Sequence, residues 1–421
     1  MATSATHVHD HDSGKGLLSV EDAREKVLSQ VQPLSTLNLP LTESHGCVLA
    51  EEAVASSNIP DFPSSAMDGF AVRSTDVAGA SPGSPVELTI VGRAPIGRRP
   101  EATVGGGEAV RIATGAPVPA GADTIVPIEN CEAAGDRVRI LAASPEARHI
   151  RPTGEDVKAG EVLVVRGRRL GAPELALLAT AGVSHPLVHP RPRVVVLSTG
   201  DELIAPPGSP GYGQVRDSNA YLLFGALREA GAAPVLAGIV RDEVDELRDT
   251  VLSRLAQADA FVSSGGVSVG ERDVVKAAFF RRGDVEFFKV AMQPGMPQGF
   301  GTIEGKPYFG LPGNPVSVFV SFEVFIRPAI LKMMGRTNLS RPEITARLTA
   351  DVSGPKGKTQ FARVLVRPDE DGYVATPTGG RGSNLIATVA RANGLAIVPA
   401  GVETAPAGSD VTVMVFRAPE D

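Results

Sequence analysis

The sequence predicts a multidomain protein of the α/β plus β class. Its 421 residues exceed what one ordinary hydrophobic core accommodates, so we expect about two to four domains. From about residue 193, apolar strand-like runs alternate with helical patterns of roughly ten residues or more, which is typical of a doubly wound parallel sheet. On both sides of this region, short β-rich runs separated by proline and glycine indicate further β domains.

Composition excludes several classes of protein. A hydrophobic content of 43% with 21% charged residues is that of a soluble globular chain, and the net charge of −7 argues against nucleic-acid binding. No apolar stretch approaches the roughly 20 residues that span a bilayer, and the N-terminus lacks the features of a signal peptide. Cys47 and Cys131 form no CxxC pattern, which favours reduced thiols in the cytoplasm.

The N-terminus is predicted to be a polar tail followed by a helix. Residues 1–16 are expected to be disordered. The tail histidines and aspartates could hold a metal, although a solvated tail is the favoured interpretation: His7, His9, Asp10, His11 and Asp12. Helical spacing follows from Leu17 to about Gln30, with Ser19 as the N-cap and Asp22 completing a pattern similar to a capping box.

The next part of the chain is predicted to be mostly β-structure. Residues 53–149 contain the short runs VELTIVG, EAVRIA, DTIVPIE and RVRIL, which indicate a small all-β insertion. The flanking segments, 17–52 and 150–192, have mixed character, with the strand-like GEVLVVRG and the apolar helix PELALLATAG in the second of them.

Residues 193–336 carry the α/β pattern. The predicted strands are RVVVLSTG, APVLAGIV, DAFVSSGG and the start of KPYFGLPGNPVS. The helices between and after them are DSNAYLLFGALREAG, DEVDELRDTVLSRLAQ, DVVKAAFF and the apolar run that ends in RPAIL. Residues 337–421 return to β-rich runs, namely EITARLTA, FARVLVRP, YVATPT, LAIVPA and DVTVMVF, and therefore form a C-terminal β domain.

One loop contains a pattern typical of hydrolases. Gly266-Val267-Ser268-Val269-Gly270 matches G-x-S-x-G, in which the serine is the nucleophile. That chemistry requires a histidine downstream of the serine, but all seven histidines lie at or before His189. Ser268 is therefore not predicted to be a nucleophile.

A second segment resembles a phosphate-binding loop. GPKGKT, residues 354–359, is similar to the end of a Walker A motif, but Val352 stands where that motif requires glycine. The segment also lies between predicted strands rather than before a helix. It is not predicted to be a Walker-type phosphate site.

Four loops, among them the one that contains Ser268, are expected to meet at one edge of the parallel sheet. They are STGDEL (198–203), VRDE (240–243), SSGGVSVGERD (263–273) and LPGNPVS (311–317). Ligands of such sheets bind beyond the carboxyl ends of the strands, where glycines let the backbone approach an anion and helix N-termini present free N–H groups. The alternative is that Gly265, Gly266 and Gly270 only permit tight turns.

The same loops carry carboxylates. Glu202, Asp242 and Asp273 are predicted to converge on the anion-binding edge, where they repel a phosphate unless a cation lies between them. Mg²⁺ suits that position because it commonly bridges carboxylate and phosphate oxygens. We therefore predict metal-assisted chemistry at a phosphate linkage, with these three acids as candidate ligands. The alternative is that Glu202 and Asp242 are helix N-caps.

Three further small-residue loops lie outside this sheet. PSSAMDGFAVR (63–73) carries Asp68, RIATGAPVPAGADTIVPIE (111–129) carries Thr114, and RPTGEDVKAG (151–160) carries Glu155 and Asp156. Each loop by itself is an ordinary turn.

The loops together closely resemble the molybdopterin molybdenumtransferase family, whose relatives include the C-terminal domain of gephyrin. The matching motifs are PSSAMDGFAVR, RIATGAPVPAGAD, RPTGEDVKAG, STGDEL, SSGGVSVGERD and LPGNPVS, and they occur in the family's order. The match extends from about residue 17 to the C-terminus. Several collinear motifs make it much more specific than any single glycine loop.

The resemblance implies the last step of molybdenum cofactor synthesis. Adenylylated molybdopterin and molybdate are the implied substrates, AMP is the implied product, and Mg²⁺ is the implied cofactor. It further implies a homodimer with the active site at the subunit interface, and a role for transient contacts with other enzymes of the pathway. The implied architecture is an elongated discontinuous domain (17–52 and 150–192), a β-rich insertion (53–149), a molybdopterin-binding α/β domain (193–336) and a C-terminal β-barrel (337–421).

The resemblance also implies which residues act. The family's functional polar residues fall on Asp68, Thr114, Asp156, Glu202, Asp242 and Asp273. The residues expected to bind the pterin, its phosphates or molybdate are Ser198, Thr199, Gly200, Ser264, Gly265, Gly266, Ser268, Gly270, Lys289, Pro312, Gly313, Asn314, Ser317, Arg363 and Ser383.

One segment departs from the family pattern. The family carries further lysines in the stretch KVAMQPGMP, but here only Lys289 remains, and Gln293 and Met296 occupy the other two places. Neither replacement supplies a positive charge. We therefore expect weakened oxyanion binding, offset in part by Arg363, Ser383 and Ser317, and tighter molybdate binding in a Gln293→Lys, Met296→Lys variant.

Two other functions remain open at the level of sequence. The related molybdopterin adenylyltransferase activity uses the same α/β unit, although the additional domains argue against it. A non-catalytic molybdopterin-binding scaffold is the other alternative, although the complete set of acids argues against a purely structural role.

Overall fold

The computed structural model describes residues 16–266, 274–279 and 285–419. Two compact units divide this chain. The first comprises residues up to 38, residues 46–50 and residues from 187 to the C-terminus, and the second comprises residues 39–45 and 51–186. None of the described helices is both long enough and apolar enough to cross a membrane.

The first unit contains a six-stranded sheet. Its strands are β1 Arg193–Thr199, β2 Ala233–Val240, β3 Ala260–Ser264, β4 Val285–Lys289, β5 Pro297–Ile303 and β6 Lys306–Leu311. Their spatial order is β2-β1-β3-β6-β5-β4, and the first four strands in this order are parallel. β5 and β4 run antiparallel to the neighbours that they join, β6 and β5. The parallel sheet predicted from sequence is thus confirmed, with an antiparallel extension at one edge.

Helices cover both faces of this sheet. They are α1 Asn219–Ala230, α2 Val244–Ser253, α3 Val274–Phe279, α4 Pro315–Ser321 and α5 Arg327–Met333, with a π-helical turn at Phe322–Ile326 between the last two. Successive strand residues point to opposite faces. Val194 accordingly packs in the core beneath α1, α4 and α5, whereas Val195 packs in the core beneath α2 and α3.

A closed β-barrel follows the α/β domain. Its strands are Glu343–Leu348, Thr359–Asp369, Gly372–Pro377, Gly394–Val398 and Asp410–Val415. The long second strand pairs with both its neighbours, Gly372–Pro377 and Gly394–Val398, and this closes the barrel. The strand Met292–Gln293, which precedes β5, pairs in parallel with Thr359–Gln360 and so connects the α/β domain to the barrel.

Smaller elements complete the first unit. The predicted N-terminal helix spans Val20–Ser29, and its N-cap Ser19 accepts a hydrogen bond from the Asp22 N–H at 2.9 Å, as expected. The other elements are a sheet of Leu37–Asn38, Leu187–His189 and Val48–Leu49, the ladder of Leu203–Ile204 with Val215–Arg216, the ladder of Val352–Ser353 with Thr404–Ala405, the helix Ile386–Ala390 and the 3-10 turn Leu255–Gln257.

The second unit is built mainly from β-strands. Its six-stranded sheet has the spatial order Thr124–Pro127, Gly69–Val72, Glu108–Ile112, Val86–Arg93, Arg137–Ile140 and Cys131–Ala134. Two ladders pair Ser64–Ser65 with Ile150–Arg151 and Ala53–Val54 with Val162–Val164. The helices are Leu41–Ser44, Ser74–Val77 and Ala172–Thr180, with a 3-10 turn at Ile128–Asn130. The short β runs and the apolar helix predicted in this part are therefore confirmed.

Candidate active site

A cleft lies at the carboxyl ends of the parallel strands, and we call it the rim cleft. It has a volume of about 360 Å³. The loops predicted to meet at this edge do meet there, because residues from all four of them line the cleft. The lining residues are Thr199, Gly200, Glu202, Leu203, Asn219, Asp242, Ser264, Gly265, Gly266, Pro297, Pro312, Gly313, Asn314 and Ser317.

Two glycines let the loop after β3 lie against the end of β1. Gly265 and Gly266 have φ angles of +94° and +65°, a region that favours glycine. A Cβ at Gly265 would lie 2.4 Å from the carbonyl oxygen of Thr199. The Gly265 N–H donates to the Leu311 carbonyl at 3.0 Å. These glycines therefore form a tight turn, as the alternative held, and also bring bare backbone to the wall of the cleft.

Two polar groups beside these glycines lack partners among the described residues. Thr199 is only 4% exposed, and its hydroxyl forms no hydrogen bond with any described residue. Asn219 donates through Nδ2 to the Gly313 carbonyl at 2.7 Å, which leaves its Oδ1 without a donor. Buried polar groups are normally hydrogen-bonded. A polar ligand in the rim cleft would supply what both groups lack.

The serines at the strand ends have different positions. Ser264 lines the cleft, whereas Ser198 is fully buried and does not. Their hydroxyls share a hydrogen bond of 3.2 Å across β1 and β3, and the Tyr308 hydroxyl donates to Ser263 at 2.7 Å beneath them. Ser198 therefore supports the floor of the cleft from below.

Carboxylates also line the rim cleft. Glu202 and Asp242 both line it, and the Asp242 N–H donates to Asp201 Oδ1 at 3.3 Å. Partial burial raises the pKa of the Asp242 carboxyl, and the charges of Asp201 and Glu202 raise that pKa further. Neither Glu202 nor Asp242 is a helix cap, because the residues at those cap positions are Ser218 and Glu243.

These acids suit a hard divalent cation. Among residues 16–266, 274–279 and 285–419, no group of three or more acidic, histidine or cysteine side chains is arranged to hold a metal. Mg²⁺ does not need such a cage, since proteins usually bind it through one or two carboxylates together with substrate phosphates and water. Glu202 and Asp242 provide oxygen donors of this kind, and a cation there would relieve the repulsion that raises the Asp242 pKa.

A second cleft lies where the α/β domain meets the barrel, and we call it the barrel cleft. Its volume is about 400 Å³. Ser317, in the first turn of α4, lines both clefts, so the two adjoin. The lining residues are Met292, Gln293, Pro294, Gly295, Met296, Ser317, Lys358, Arg381, Gly382 and Ser383.

The barrel cleft contains the two positions that depart from the family pattern. Gln293 and Met296 line it, and so does Ser383. Arg363 is not among the lining residues. It is 5% exposed, its Nε donates to the Thr388 hydroxyl, and its Nη2 donates to the carbonyls of Gly380 and Gly382. Burial lowers the pKa of its guanidinium. Arg363 thus holds the loop that carries Ser383.

Lys289 lies beside the rim cleft without lining either cleft. It ends β4, and its partner in the sheet is Pro297, which lines the rim cleft.

The second unit carries the other predicted polar residues. The Thr114 N–H and hydroxyl donate to Asp68 Oδ1 at 2.7 and 3.1 Å. These two hydrogen bonds lower the pKa of the Asp68 carboxyl, the backbone one more strongly. Both residues are exposed, so the pair forms a charged surface feature. The loops that carry Asp68 and Thr114 are therefore joined by direct hydrogen bonds.

Asp156 is exposed on a neighbouring loop of the same unit. Its backbone N–H donates to the Ile59 carbonyl at 3.0 Å, and Val157 forms a β-bridge with Ile59. The segment that carries Asp156 therefore runs alongside the segment that leads to Asp68.

Several predicted residues lie outside the described part of the chain. They are the tail histidines and aspartates, Ser268, Gly270 and Asp273.

The structure adds four polar residues that the sequence did not single out. Asn219 lines the rim cleft, Asp201 accepts from the Asp242 N–H beside it, and Lys358 and Arg381 line the barrel cleft. Asp201 could have been found because it precedes Glu202 in STGDEL. Lys358 lies in the GPKGKT segment, which connects two strands as predicted.

Three family models match the chain in sequence order. Residues 18–182 match the MoeA N-terminal region (domain I and II), residues 195–332 match a probable molybdopterin binding domain, and residues 345–416 match the MoeA C-terminal region (domain IV).

Curated relatives and a solved structure cover nearly the whole chain. Molybdopterin molybdenumtransferase 2 of Mycobacterium tuberculosis (strain ATCC 25618 / H37Rv) is 43% identical over 403 residues, covering 94% of this chain and 98% of that protein. Molybdopterin molybdenumtransferase 1 of the same organism is 35% identical over 417 residues, with coverage of 94% and 98%. A crystal structure of the molybdopterin biosynthesis MoeA protein from Pyrococcus horikoshii has a TM-score of 0.78 and 31% identity, covering 96% of this chain and 100% of that one.

Proposed function

The chain belongs to the molybdopterin molybdenumtransferase family, and from that premise we propose that it joins molybdate to adenylylated molybdopterin in a Mg²⁺-dependent reaction that releases AMP. The enzyme is a transferase of molybdenum cofactor biosynthesis. Family membership establishes the transfer of molybdenum. The activated substrate, the leaving nucleotide and the metal are our proposal. The observation that carries this proposal is the rim cleft, which is lined by bare backbone, by polar groups without partners among the described residues and by mutually repelling carboxylates.

The rim cleft is suited to a phosphorylated pterin. The backbone at Gly265 and Gly266 comes close to the cleft, and Ser317 in the first turn of α4 lines the cleft with a hydroxyl that can donate to an anion. The Thr199 hydroxyl can donate to a phosphate oxygen, and Asn219 Oδ1 can accept from an N–H of the pterin ring. These groups would bind and orient the substrate without moving during the reaction.

Glu202 and Asp242, which line the rim cleft, are the residues that would hold Mg²⁺. Asp273, which lies outside the described residues, is proposed as a third ligand. When bound there, the ion would neutralise charge on the phosphoanhydride and stabilise the leaving AMP. Glu202 and Asp242 would also make the cleft select a substrate that is bound to a cation, because they repel an anionic substrate without one.

We further propose a homodimer in which Asp68 and Thr114 of one protomer act at the rim cleft of its partner. In support, Asp68 has a lowered pKa and is exposed, and it forms no ion pair with any described residue. An exposed carboxylate that stays ionised is suited to a site that forms only when two protomers associate. A cytoplasmic location and transient contacts with other enzymes of the pathway belong to the same proposal.

The domain boundaries are also a proposal. We propose divisions near residues 53, 150, 193 and 337 because the six-stranded sheet of the second unit lies entirely within 53–149 and all barrel strands lie within 337–421. Residues 53, 150 and 193 lie at the starts of paired strands, whereas residue 337 lies in a connection. Limited proteolysis should therefore cut first near residue 337, and earlier cuts inside the barrel strands would contradict that boundary.

One assay separates the proposed activity from its alternatives. The purified protein is incubated with adenylylated molybdopterin, Mg²⁺ and molybdate, and AMP is measured over time. We expect AMP release that depends on molybdate. An adenylyltransferase would instead form the adenylylated pterin from ATP and molybdopterin, and a scaffold would bind the pterin without turnover. Either of these results would contradict the proposed reaction.

A further inference from the structure

Another cavity lies within the second unit, and we call it the proline cavity after three of its lining residues, Pro63, Pro100 and Pro117. Its volume is about 810 Å³, a size typical of sites for small organic molecules. It shares no lining residue with the rim cleft or the barrel cleft. The proposed reaction therefore assigns it no role.

Backbone hydrogen bonds fix the segments that line the proline cavity. Residues 117–120 connect to the other two lining segments. The Val118 N–H donates to the Pro63 carbonyl at 3.0 Å, and the Val104 N–H donates to the Ala120 carbonyl at 2.8 Å. The lining segments therefore hold one another in place, and the cavity does not depend on side-chain contacts for its shape.

Two arginines reach the proline cavity from a loop whose base is buried. Ala94 and Val104 belong to the hydrophobic core of the second unit, and the Ala94 N–H donates to the Arg111 carbonyl at 2.8 Å. Between these two core positions, Arg98 and Arg99 are exposed and line the cavity. The loop thus presents two guanidinium groups at the cavity from a fixed base.

Two carboxylates line the same cavity. They belong to Asp61 and Glu101, so the four charged lining residues have no net charge in sum. Within the described part of the chain, none of the four forms an ion pair. Both kinds of charge are therefore available to a ligand. A cavity with this balance favours a ligand that carries hydrogen-bond donors and an anion over a simple anion.

The remaining lining residues offer an apolar surface. Phe62 is 42% exposed and follows Asp61 directly, and Pro63, Pro117 and Val118 lie beside it in the lining. An exposed aromatic ring is suited to stacking against a flat ring of a ligand. The order of Asp61 and Phe62 in the chain places a carboxylate near the edge of a ring that is stacked there.

The chemistry of these groups defines a class of ligand. A carboxylate can accept two parallel hydrogen bonds from a 2-amino-4-oxopyrimidine ring, whose ring N–H and amino group lie side by side. Adenine cannot form this pair, because an acceptor nitrogen lies beside its amino group. Two guanidinium groups suit a phosphate, which they can bind through several N–H donors.

We propose that the proline cavity binds a 2-amino-4-oxopyrimidine ring that carries a phosphate, the chemistry shared by pterin phosphates and guanine nucleotides. Asp61 accepts from the N–H edge of the ring, Phe62 stacks against its face, and Arg98 and Arg99 bind the phosphate. The Thr103 hydroxyl, which also lines the cavity, can donate to a further oxygen. The inference goes beyond the proposed function, since that reaction needs no site in this unit for such a ligand.

Calorimetric titration of the full-length protein tests the assignment with GMP, neopterin monophosphate, AMP and inorganic phosphate as separate probes. EDTA is present and molybdate is absent, so that the carboxylates of the rim cleft repel phosphate. GMP or neopterin monophosphate should bind at least about tenfold more tightly than AMP or inorganic phosphate. The tighter of these two probes shows whether the site prefers a guanine nucleotide or a pterin.

Variants of the lining residues separate the two halves of the ligand. Arg98→Gln combined with Arg99→Gln should weaken binding of the preferred probe at least about tenfold, because it removes both charged donors to the phosphate. Asp61→Asn should weaken it about tenfold and leave AMP binding unchanged, because the amide offers only one acceptor to the ring edge. Loss of discrimination against AMP is a result that a merely structural role of Asp61 would not produce.

Matched controls come from the same unit. Arg166 and Asp136 are exposed and do not line the proline cavity. Arg166→Gln and Asp136→Asn should therefore bind the preferred probe as the wild type does. Thermal unfolding of every variant near the wild-type temperature confirms that the fold is intact. Thr199→Val, which changes the rim cleft, should also bind the probe as the wild type does.

Four results would overturn the inference. They are the absence of binding by both GMP and neopterin monophosphate, equally tight binding of AMP or inorganic phosphate, unchanged affinity in either the double arginine variant or Asp61→Asn, and loss of binding in Thr199→Val. The proposed function is tested separately, by release of AMP in the presence of molybdate.

Discussion

Gly265 is the residue at which the fold and the proposed chemistry constrain each other most closely. Its φ of +94° and the 2.4 Å distance from a built Cβ to the Thr199 carbonyl oxygen leave no room for a side chain. Thr199 is also the residue whose buried hydroxyl lacks a partner. A change at Gly265 therefore moves the floor of the rim cleft as well as the loop itself.

We predict that Gly265→Ala destabilises the protein by about 3 kcal/mol or more, because backbone strain and a clash add together. Gly238→Ala is the matched control. Gly238 has the same φ of +94°, but nothing lies within 4 Å of its built Cβ. It should therefore cost only about 1–2 kcal/mol. Denaturant unfolding of both variants measures the difference, and equal losses would show that contact with Thr199 is unimportant.

Single residues of the rim cleft were predictable where they follow a strand end directly. Glu202, Asp242 and Gly265 are of this kind, because parallel strands bring such positions to one edge. Asn219, Lys358 and Arg381 were not predictable. Lys358 reaches its cleft only through the pairing of Thr359–Gln360 with a distant strand, and no periodicity in the sequence encodes that pairing.

Hydrogen bonds between elements hold the α/β sheet in register. The Asp259 carboxylate, immediately before β3, accepts three hydrogen bonds from Arg193. The donors are the Arg193 backbone N–H at 2.8 Å, its side-chain Nε at 3.1 Å and its side-chain Nη2 at 2.9 Å. Burial alone would raise the pKa of the Asp259 carboxyl, but these bonds to Arg193 lower it overall. The start of β1 is thereby attached to the start of β3.

Asp259→Asn should lower the free energy of unfolding by about 1–2 kcal/mol at neutral pH. Because the folded pKa is lowered, the stabilisation is present above the unfolded value of about 3.9 and is lost as pH falls through the folded pKa. The variant and the wild type should therefore converge in acid. Asp249→Asn, on the exposed face of α2 and without a described partner, is the control and should differ little. A difference in stability that persists unchanged at pH 2 would contradict this account.

At the scale of elements, most strands and helices followed from the sequence, but the antiparallel edge did not. β5 contains Gly299 and Gly301, and glycine disfavours a strand prediction. Gly299 is required because a Cβ there would lie 2.9 Å from the ring of Phe287 in β4. Packing against β4 thus requires glycine at position 299, although glycine has a low propensity for strands.

The whole molecule is proposed to act as a dimer with shared sites. Asp68→Asn and Asp242→Asn should each inactivate the homodimer. After subunit exchange between the two variants, mixed dimers would contain one intact site, so activity should return to about a quarter of wild type if the dimer has two-fold symmetry. Size-exclusion chromatography with light scattering checks the mass of each species. No recovery after verified exchange would show that Asp68 and Asp242 do not act across protomers.

The most direct test of the account is a single-turnover measurement of AMP released against molybdenum transferred. Wild-type protein loaded with adenylylated molybdopterin receives molybdate and Mg²⁺ together, or either one alone. We predict one AMP for each molybdenum transferred when both are present, and neither product when one is omitted. Molybdenum transfer without AMP release, or AMP release at the same rate without molybdate, would contradict the coupling on which the proposed function depends.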